Sequence, residues 1–122
     1  MTTECKYPKM YILVNTSLDM KKGKIAGQVG HVVEEIVSHH YENCLEDKEK
    51  MKVWKSWIEN HGTKIVLKCS QSVLEEMLRD KNVESFIVKD AGRTQIPAGS
   101  LTCVGLYPTT NPPNVVKELS LL

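Results

Sequence analysis

The chain has 122 residues, of which 41% are hydrophobic and 25% are charged, and this composition excludes collagen-like, disordered and disulfide-stapled classes of protein. Sixteen Lys and Arg face fifteen Asp and Glu, so a polyanionic partner must be met by a local basic patch rather than by net charge. A chain of this length builds a core without a disulfide or metal. We expect one domain over residues 1–122, with residues 1–8 a short flexible segment.

The sequence also bears on the compartment. Its longest apolar run, MYILV at positions 10–14, is far below the ~20 residues of a membrane-spanning helix. The N-terminus has neither the apolar stretch of a signal peptide nor the Arg-rich pattern of a transit peptide. The four cysteines form no Cys-x-x-Cys pair, which favours free thiols in a reducing compartment. We therefore expect a cytoplasmic protein without membrane contact.

The first two elements are the clearest. Residues 10–17 begin with a continuous apolar run, which predicts a central strand buried on both faces. Residues 24–39 have helical apolar spacing. Gly27 and Gly30 lie in this helix, where glycine is costly, so we expect its backbone to be approached closely by a strand or a ligand. The expected inward face consists of Ile25, Val29, Val32, Val33, Ile36 and Val37.

Strands and helices alternate through the rest of the chain. This alternation predicts parallel pairing through a right-handed crossover, and a three-layer α/β/α sandwich around a four-stranded mixed β-sheet. The expected elements are a helix over 46–60 with Met51, Trp54 and Ile58 inward, a strand over 63–69, a helix capped by Ser70 or Ser72 and ending near 80 with Val73, Leu74, Met77 and Leu78 inward, strands over 84–89 and 101–107, and a helix over 115–121 that follows two prolines.

Polar, glycine-containing segments follow two of the strands, at the ends where ligands gather in α/β sheets. The first, SLDMKKGK at positions 17–24, places Lys21, Lys22 and Lys24 at a helix N-terminus. The helix dipole disfavours cations there by about 0.3–1 kcal/mol each, so the arrangement favours a bound anion such as phosphate. The competing interpretation is a solvated lysine run.

The same helix carries a polar stripe. Lys24, Gln28, His31 and Glu35 follow helical spacing, and we expect this stripe to lie opposite the apolar face. Its first residue lies at the expected cleft, which makes a functional role for the stripe possible. For His31 the alternative is an ordinary helical histidine that is hydrogen-bonded to a neighbouring carbonyl.

The second segment, DAGRTQIPAGS at positions 90–100, is long for so small a domain. Long loops in compact domains are often functional, and this one combines Asp90, Arg93 and Thr94 with glycines. The alternative is an internal network from Asp90 to Arg93 or Thr94 that only shapes the turn.

Other clusters are less informative. His39, His40 and Cys44 could bind a metal, but no fourth ligand matches them, so we interpret them as a chance grouping at the surface. Trp54 and Trp57 are better explained by helix packing and surface positions than by base stacking. No Gly-x-Gly-x-x-Gly, Walker or Gly-x-Ser-x-Gly motif is present, and we expect neither a metal nor a cofactor.

The two segments together resemble the type 2 peptidyl-tRNA hydrolase family of archaea and eukaryotes, on the motifs KGKIAGQVGH at 22–31 and DAGRTQIPAGS at 90–100. The resemblance covers nearly the whole chain from Met10. It implies an α/β/α sandwich and hydrolysis of the ester that joins a peptide to tRNA, which returns tRNA to translation. It further implies peptidyl-tRNA as the substrate, a possible homodimer, and possible protein partners as in eukaryotic relatives.

The resemblance also implies site residues. Lys24, Asp90 and Thr94 match the family's proposed catalytic positions, and further polar positions of the family are matched by Gln28, His31, Arg93 and Thr102. We expect these four residues, together with Lys21 and Lys22, to bind the substrate. We expect Asp90 to orient and deprotonate a water, Lys24 to stabilise the oxyanion, and Thr94 to position the water or the carbonyl. The alternative function is a non-catalytic module that binds tRNA or protein.

The chain departs from the family pattern near the cleft. The family commonly has Arg at the position of Asn15, Asp at Ser17, Lys at Asp19 and Gly at Lys21. Two cations are therefore replaced, and Lys21 restores part of the charge.

Overall fold

The computed structural model describes residues 6–92 and 96–122. Within them Pro8 is buried, and Lys9 pairs with Thr109 as an isolated β-bridge. The elements in chain order are β1 (Met10–Asn15), α1 (Lys22–Asn43), α2 (Lys48–Glu59), β2 (Lys64–Cys69), α3 (Gln71–Arg79), β3 (Phe86–Lys89), β4 (Leu101–Gly105) and α4 (Asn114–Lys117).

The four strands form one mixed sheet in the order β2-β1-β4-β3. Strand β1 pairs parallel with β2 and antiparallel with β4, and β4 pairs antiparallel with β3. The predicted four-stranded mixed sheet with β1 inside it is therefore confirmed. Parallel pairing of successive strands holds for β1 and β2 but is wrong for β2 and β3, because these two lie at opposite edges of the sheet.

Successive side chains of a strand point to opposite faces of the sheet, and helices cover both of these faces. Met10, Ile12 and Val14 of β1 pack in a core with α1 and α2. Tyr11 and Leu13 pack in a second core with α3 and α4. All six β1 residues are buried, as the continuous apolar run predicts, and the three-layer α/β/α architecture is confirmed.

Helix α1 extends beyond the predicted span at both ends, and its predicted apolar face is confirmed, with Val32 and Ile36 fully buried. Close approach of a strand at Gly27 and Gly30 is wrong: a Cβ at either would meet no described atom within 4 Å. The glycine that allows close packing is Gly105 of β4, where an added Cβ would lie 2.8 Å from side-chain atoms of α1.

Helix α2 begins after Asp47, whose carboxylate accepts a hydrogen bond from the Lys50 backbone. Its inward face differs from the prediction. Trp54 and Trp57 are both buried, whereas Ile58 is 54% exposed. The indole N–H of Trp57 donates to the Thr63 carbonyl at 2.8 Å, which ties the helix to the start of β2. The tryptophans are packing residues, as expected, but they do not lie at the surface.

The second half of the chain contains one confirmed cap and one error. Ser70 is the N-cap of α3 and accepts from the Val73 backbone, as predicted, and Leu74 and Met77 are buried. The helix predicted over 115–121 is wrong beyond Lys117. Glu118 caps the short helix, and Ser120 and Leu122 pair with the backbone of β2. The helix does not continue, because the backbone groups of Ser120 and Leu122 form hydrogen bonds with the edge strand β2 instead.

Cys44, Cys69 and Cys103 are buried free thiols, as expected, and Cys5 lies outside the described residues. No helix in the described ranges has both the length and the apolarity to cross a bilayer.

Candidate active site

The end of β3 and the start of α1 meet at one end of the sheet. Asp90 directly follows β3, and Lys24 lies in the first turn of α1. At the other end of the pair, the His39 ring of α1 lies 4.8 Å from the Phe86 ring of β3. Helix α1 therefore runs antiparallel to β3, and this direction brings two distant sequence motifs together.

The two motifs are joined by an ion pair. The Lys24 ammonium group donates to Oδ1 of Asp90, and the Gln28 amide lies 3.4 Å from the same oxygen. The backbone N–H of Gly92 donates to Oδ2 at 2.7 Å. Asp90 is only 4% exposed. The Lys24 ammonium group, with backbone N–H groups of the loop, holds the pKa of Asp90 below its usual range against the opposing effect of burial.

The loop that follows Asp90 is held by its own backbone. Asp90 donates its N–H to the Ser100 carbonyl and accepts at its carbonyl from Gly99, both at 2.8 Å. Gly92 has φ 79°, and an added Cβ would lie 2.6 Å from Cβ of Ala98. Asp90 thus shapes its turn through Gly92, Gly99 and Ser100 and also faces the lysine. The predicted alternative, a network from Asp90 to Arg93 or Thr94, falls on residues outside the described part of the chain.

The polar stripe of α1 differs from its prediction. Gln28 is 5% exposed, because it points towards Asp90 between the helix and β3, whereas His31 and Glu35 are exposed. The stripe is therefore not opposite the apolar face along its whole length. Helical spacing places the four residues on one side, but only the position of β3 decides that the first half of that side is covered.

The helix N-terminus keeps the features of an anion site. Lys21 and Lys22 are exposed, no side chain caps the first turn, and that turn contains no acidic residue. Lys24 is less exposed than Lys21 and Lys22, and its ammonium group contacts Asp90. The predicted lysine group thus consists of one half-buried lysine at the cleft and two exposed lysines beside it.

Two further positions are structural in their contacts. Thr102 is fully buried, and its hydroxyl donates to the Val88 carbonyl at 3.0 Å. Asn15, where the family commonly has Arg, is also fully buried. Its amide donates to the Leu101 carbonyl at 2.9 Å and to Gln71, and its Oδ1 accepts from the Ser17 backbone. No spacing in the sequence indicates the bond to Gln71, because it joins β1 to α3 across the sheet end.

The predicted surface grouping of His39, His40 and Cys44 is wrong in part. His40 and Cys44 are buried, and His40 stacks on Trp54. The described residues contain no group of three or more His, Cys, Asp or Glu side chains arranged to hold a metal ion.

An ionised carboxylate beside an ammonium group, at the strand ends of an α/β/α sandwich, can orient a water and stabilise a developing oxyanion. Fold and site together define an α/β/α sandwich with a Lys–Asp pair at one end of its mixed sheet. Residues 8–122 match the sequence profile of a family described as peptidyl-tRNA hydrolase PTH2. The chain belongs to this family.

Individual relatives agree with the profile. A peptidyl-tRNA hydrolase of Sulfolobus acidocaldarius is 39% identical over 93% of this chain and 99% of its own length. One from Sulfurisphaera tokodaii is 37% identical over 82% of this chain and 84% of its own, and one from Metallosphaera sedula is 35% identical over 82% and 86%. The family match over residues 8–122 includes both Lys24 and Asp90.

Proposed function

We propose that this protein hydrolyses the ester bond between a peptide, or an N-blocked amino acid, and tRNA, and so releases tRNA for reuse. The observation that carries the proposal is the contact of Lys24 with Asp90, which joins the two signature segments of the family at the end of the sheet. Residues 1–122 act as a single domain of this activity. Family membership and buried free thiols support action in the cytoplasm.

The chemistry requires a water nucleophile, stabilisation of a tetrahedral oxyanion and a proton for the leaving ribose oxygen. Asp90 orients the water and accepts its proton as the new C–O bond forms, and the same proton then passes to the ribose oxygen as the ester bond breaks. Because Lys24 lowers the pKa of Asp90, this carboxylate is a weak base, and its main contribution is orientation. The Lys24 ammonium group stabilises the oxyanion, and Thr94 positions the water or the carbonyl.

The surrounding residues bind the substrate. Lys21, Lys22 and Arg93 contact tRNA phosphates, with little base readout because every tRNA must be accepted. Gln28 holds Asp90 in place, and His31 lies further along the same side of α1. Thr102 acts from within the sheet by fixing the end of β3. A homodimer and further protein partners remain predictions.

The test is release of an N-acetylated amino acid from its tRNA, beside the unblocked aminoacyl-tRNA. We expect selective turnover, and a loss of about 10²–10³-fold in kcat for Lys24→Ala and for Asp90→Asn, the size typical of losing one transition-state contact. Lys81→Ala, an exposed lysine before β3 at the far end of the sheet, is the matched control. Rates within twofold of wild type in both site variants would contradict the assignment, and tRNA binding without turnover would favour the non-catalytic alternative.

Docking of tRNA has a separate prediction. Affinity should fall steeply with salt, and Lys22→Ala should reduce the slope of log affinity against log salt by about one, since one phosphate contact is lost. Filter binding of deacylated tRNA across a salt series measures this slope. Lys81→Ala should retain the wild-type slope, and a slope equally reduced in both variants would show that the α1 N-terminus has no special role.

A further inference from the structure

A groove of about 530 Å³ lies between α1 and β3. Five α1 residues between positions 31 and 42 form one wall, and residues 87–89 of β3 form the other. Its first residues are His31, one turn beyond Gln28, and Lys89, which immediately precedes Asp90. The groove therefore begins beside the Lys24–Asp90 pair and leads away from it along the helix.

The β3 wall of the groove is an open sheet edge. The other edge strand, β2, is covered by backbone bonds to residues 120–122, whereas β3 has no strand partner on its outer side among the described residues. The Val88 carbonyl accepts from Thr102 and the Asp90 N–H donates to Ser100, so both face β4. Because alternate residues of a strand direct their backbone groups to opposite edges, those of Ile87 and Lys89 face the groove.

These backbone groups are available to a ligand. Ile87 and Lys89 each present one N–H and one C=O, which suit an extended chain laid beside the strand. The Ile87 side chain is 43% exposed. The four residues of β3 span about 13 Å, the length of about four residues of an extended peptide.

The direction of β3 determines the direction of such a peptide. An ester substrate has its acyl carbon, the C-terminal end of the peptide, at the Lys24–Asp90 pair. This pair lies at the C-terminal end of β3, so the peptide runs parallel to β3 and its amino end points along α1 towards Glu42.

The charges of the groove agree with this direction. Glu34, Glu35 and Glu42 line it and are exposed, and the cation that lines it, Lys89, lies at the end near Asp90. Three carboxylates repel tRNA phosphates and attract a peptide α-ammonium group. The tRNA is thereby directed to the side of Lys21 and Lys22, and the groove is accessible to the peptide.

We propose that the peptide part of the substrate binds in this groove as a fifth, parallel strand on β3, with its amino end at the acidic wall, an inference that rests on the function proposed above. Hydrogen bonds to the backbone of Ile87 and Lys89 do not depend on the side chains of the bound peptide. The site thereby accepts peptides of any sequence, which is what an enzyme of peptidyl-tRNA must do.

The test compares kcat/KM on tetraalanyl-tRNA with kcat/KM on N-acetylalanyl-tRNA, because only the longer peptide fills the groove. We expect the ratio to be about tenfold in the wild type, from several additional backbone hydrogen bonds. Ile87→Pro deletes the outward N–H without removing a bond to β4, and should bring the ratio close to one. A tetrapeptide substrate with N-methylated peptide bonds should do the same with the wild-type enzyme.

Ile87→Thr is the matched variant, since it changes the side chain and keeps the N–H, and the ratio it gives should stay well above that of Ile87→Pro. Glu42→Lys should slow hydrolysis of the free-amino tetrapeptide relative to its N-acetylated form. Glu76→Lys, an exposed site on α3 across the sheet, should preserve that relation. Taking ratios between substrates cancels any change at the catalytic groups.

Several outcomes would overturn the inference. Equal wild-type rates on both substrates, an N-methylated substrate as good as its parent, or equal losses in Ile87→Thr and Ile87→Pro would each do so while leaving the hydrolase function intact. No hydrolysis of either substrate would instead overturn the proposed function. If sedimentation shows that Ile87→Pro converts a dimer into monomers, the edge holds a second copy of the chain and not the peptide.

Discussion

Helix α1 carries a buried polar cluster near each end, and the two clusters are built differently. Near its N-terminus, Lys24 and Asp90 form a pair of opposite charges, with the lysine partly exposed at the cleft. Near its C-terminus, His40 is buried and its ring stacks on Trp54 at 3.9 Å and 8°. Tyr107 gives its single proton to the Lys50 carbonyl, so its oxygen accepts from Nδ1 of His40 at 2.8 Å.

The titration of the two clusters differs in the same way. Burial, with the neighbouring His39 charge, lowers the pKa of His40, and burial raises the pKa of Tyr107. Both groups are therefore neutral at neutral pH. Asp90 is ionised because its partner is charged. The helix thus carries charge at its partly exposed end and neutral polar groups where two tryptophans close the core.

The largest effect is expected from a substitution that disrupts the neutral cluster of His40, Trp54 and Tyr107. Trp54→Ala should reduce the free energy of unfolding by about 3–5 kcal/mol, because a buried indole is lost and a cavity remains beside His40. Urea unfolding measures the change. Ile58→Ala on the same helix is the control, and its mostly exposed side chain should cost about 0.5 kcal/mol or less. Equal losses in the two variants would refute the assigned packing role.

A smaller effect is expected in the loop of the charged cluster. Gly92→Ala should reduce the free energy of unfolding by more than the roughly 1–2 kcal/mol of a left-handed residue, since its Cβ would also overlap Ala98. Turnover should fall too, because the Gly92 N–H bonds Asp90. Gly99→Ala is the matched control for Gly92→Ala. Gly99 also has a positive φ of 83°, but no described atom lies within 4 Å of the added Cβ. A Gly99 variant that is destabilised more than the Gly92 variant would contradict this account.

The smallest expected effect is on the pH dependence of the free energy of unfolding, to which the two clusters contribute in different pH ranges. Since the folded pKa of His40 is below 6.5, the unfolded chain binds more protons, and stability is lost as pH falls through 6.5 towards the folded value. The folded pKa of Asp90 is below 3.8, so its contribution is present above 3.8 and is lost as pH falls through the folded pKa.

Unfolding free energies measured across this pH range test both signs. His40→Gln should flatten the dependence near neutral pH alone, and Asp90→Asn should flatten only the acidic part. If His40→Gln left the neutral region as steep as in the wild type, the buried histidine would not be the group responsible.

Much of the fold could be predicted because its signals are local. The apolar run of β1, the helical spacing of α1 and the Ser70 cap each depend on residues close in sequence. The burial of Trp57 in place of Ile58 could not be predicted. A short amphipathic helix has several faces of similar apolarity, and the sheet decides which one is buried. The tail on β2 was missed for the same reason: edge pairing is non-local.

Two members of the candidate site could be singled out from the sequence, whereas the direction of α1 relative to β3 could not. Lys24 and Asp90 stand out as polar residues after strands, but their contact requires α1 to run antiparallel to β3. The burial of Gln28 follows from that direction, and so does the groove beside Ile87.

The sequence by itself determined the elements, the two-faced sheet, the family resemblance and the residues at the strand ends, because these follow from periodicity, capping and motif. Only the tertiary structure decided which edge of the sheet is covered, which glycine allows α1 to pack closely, and how the direction of α1 brings Lys24 to Asp90. Each of these depends on where distant segments meet, and the order β2-β1-β4-β3 sets that meeting.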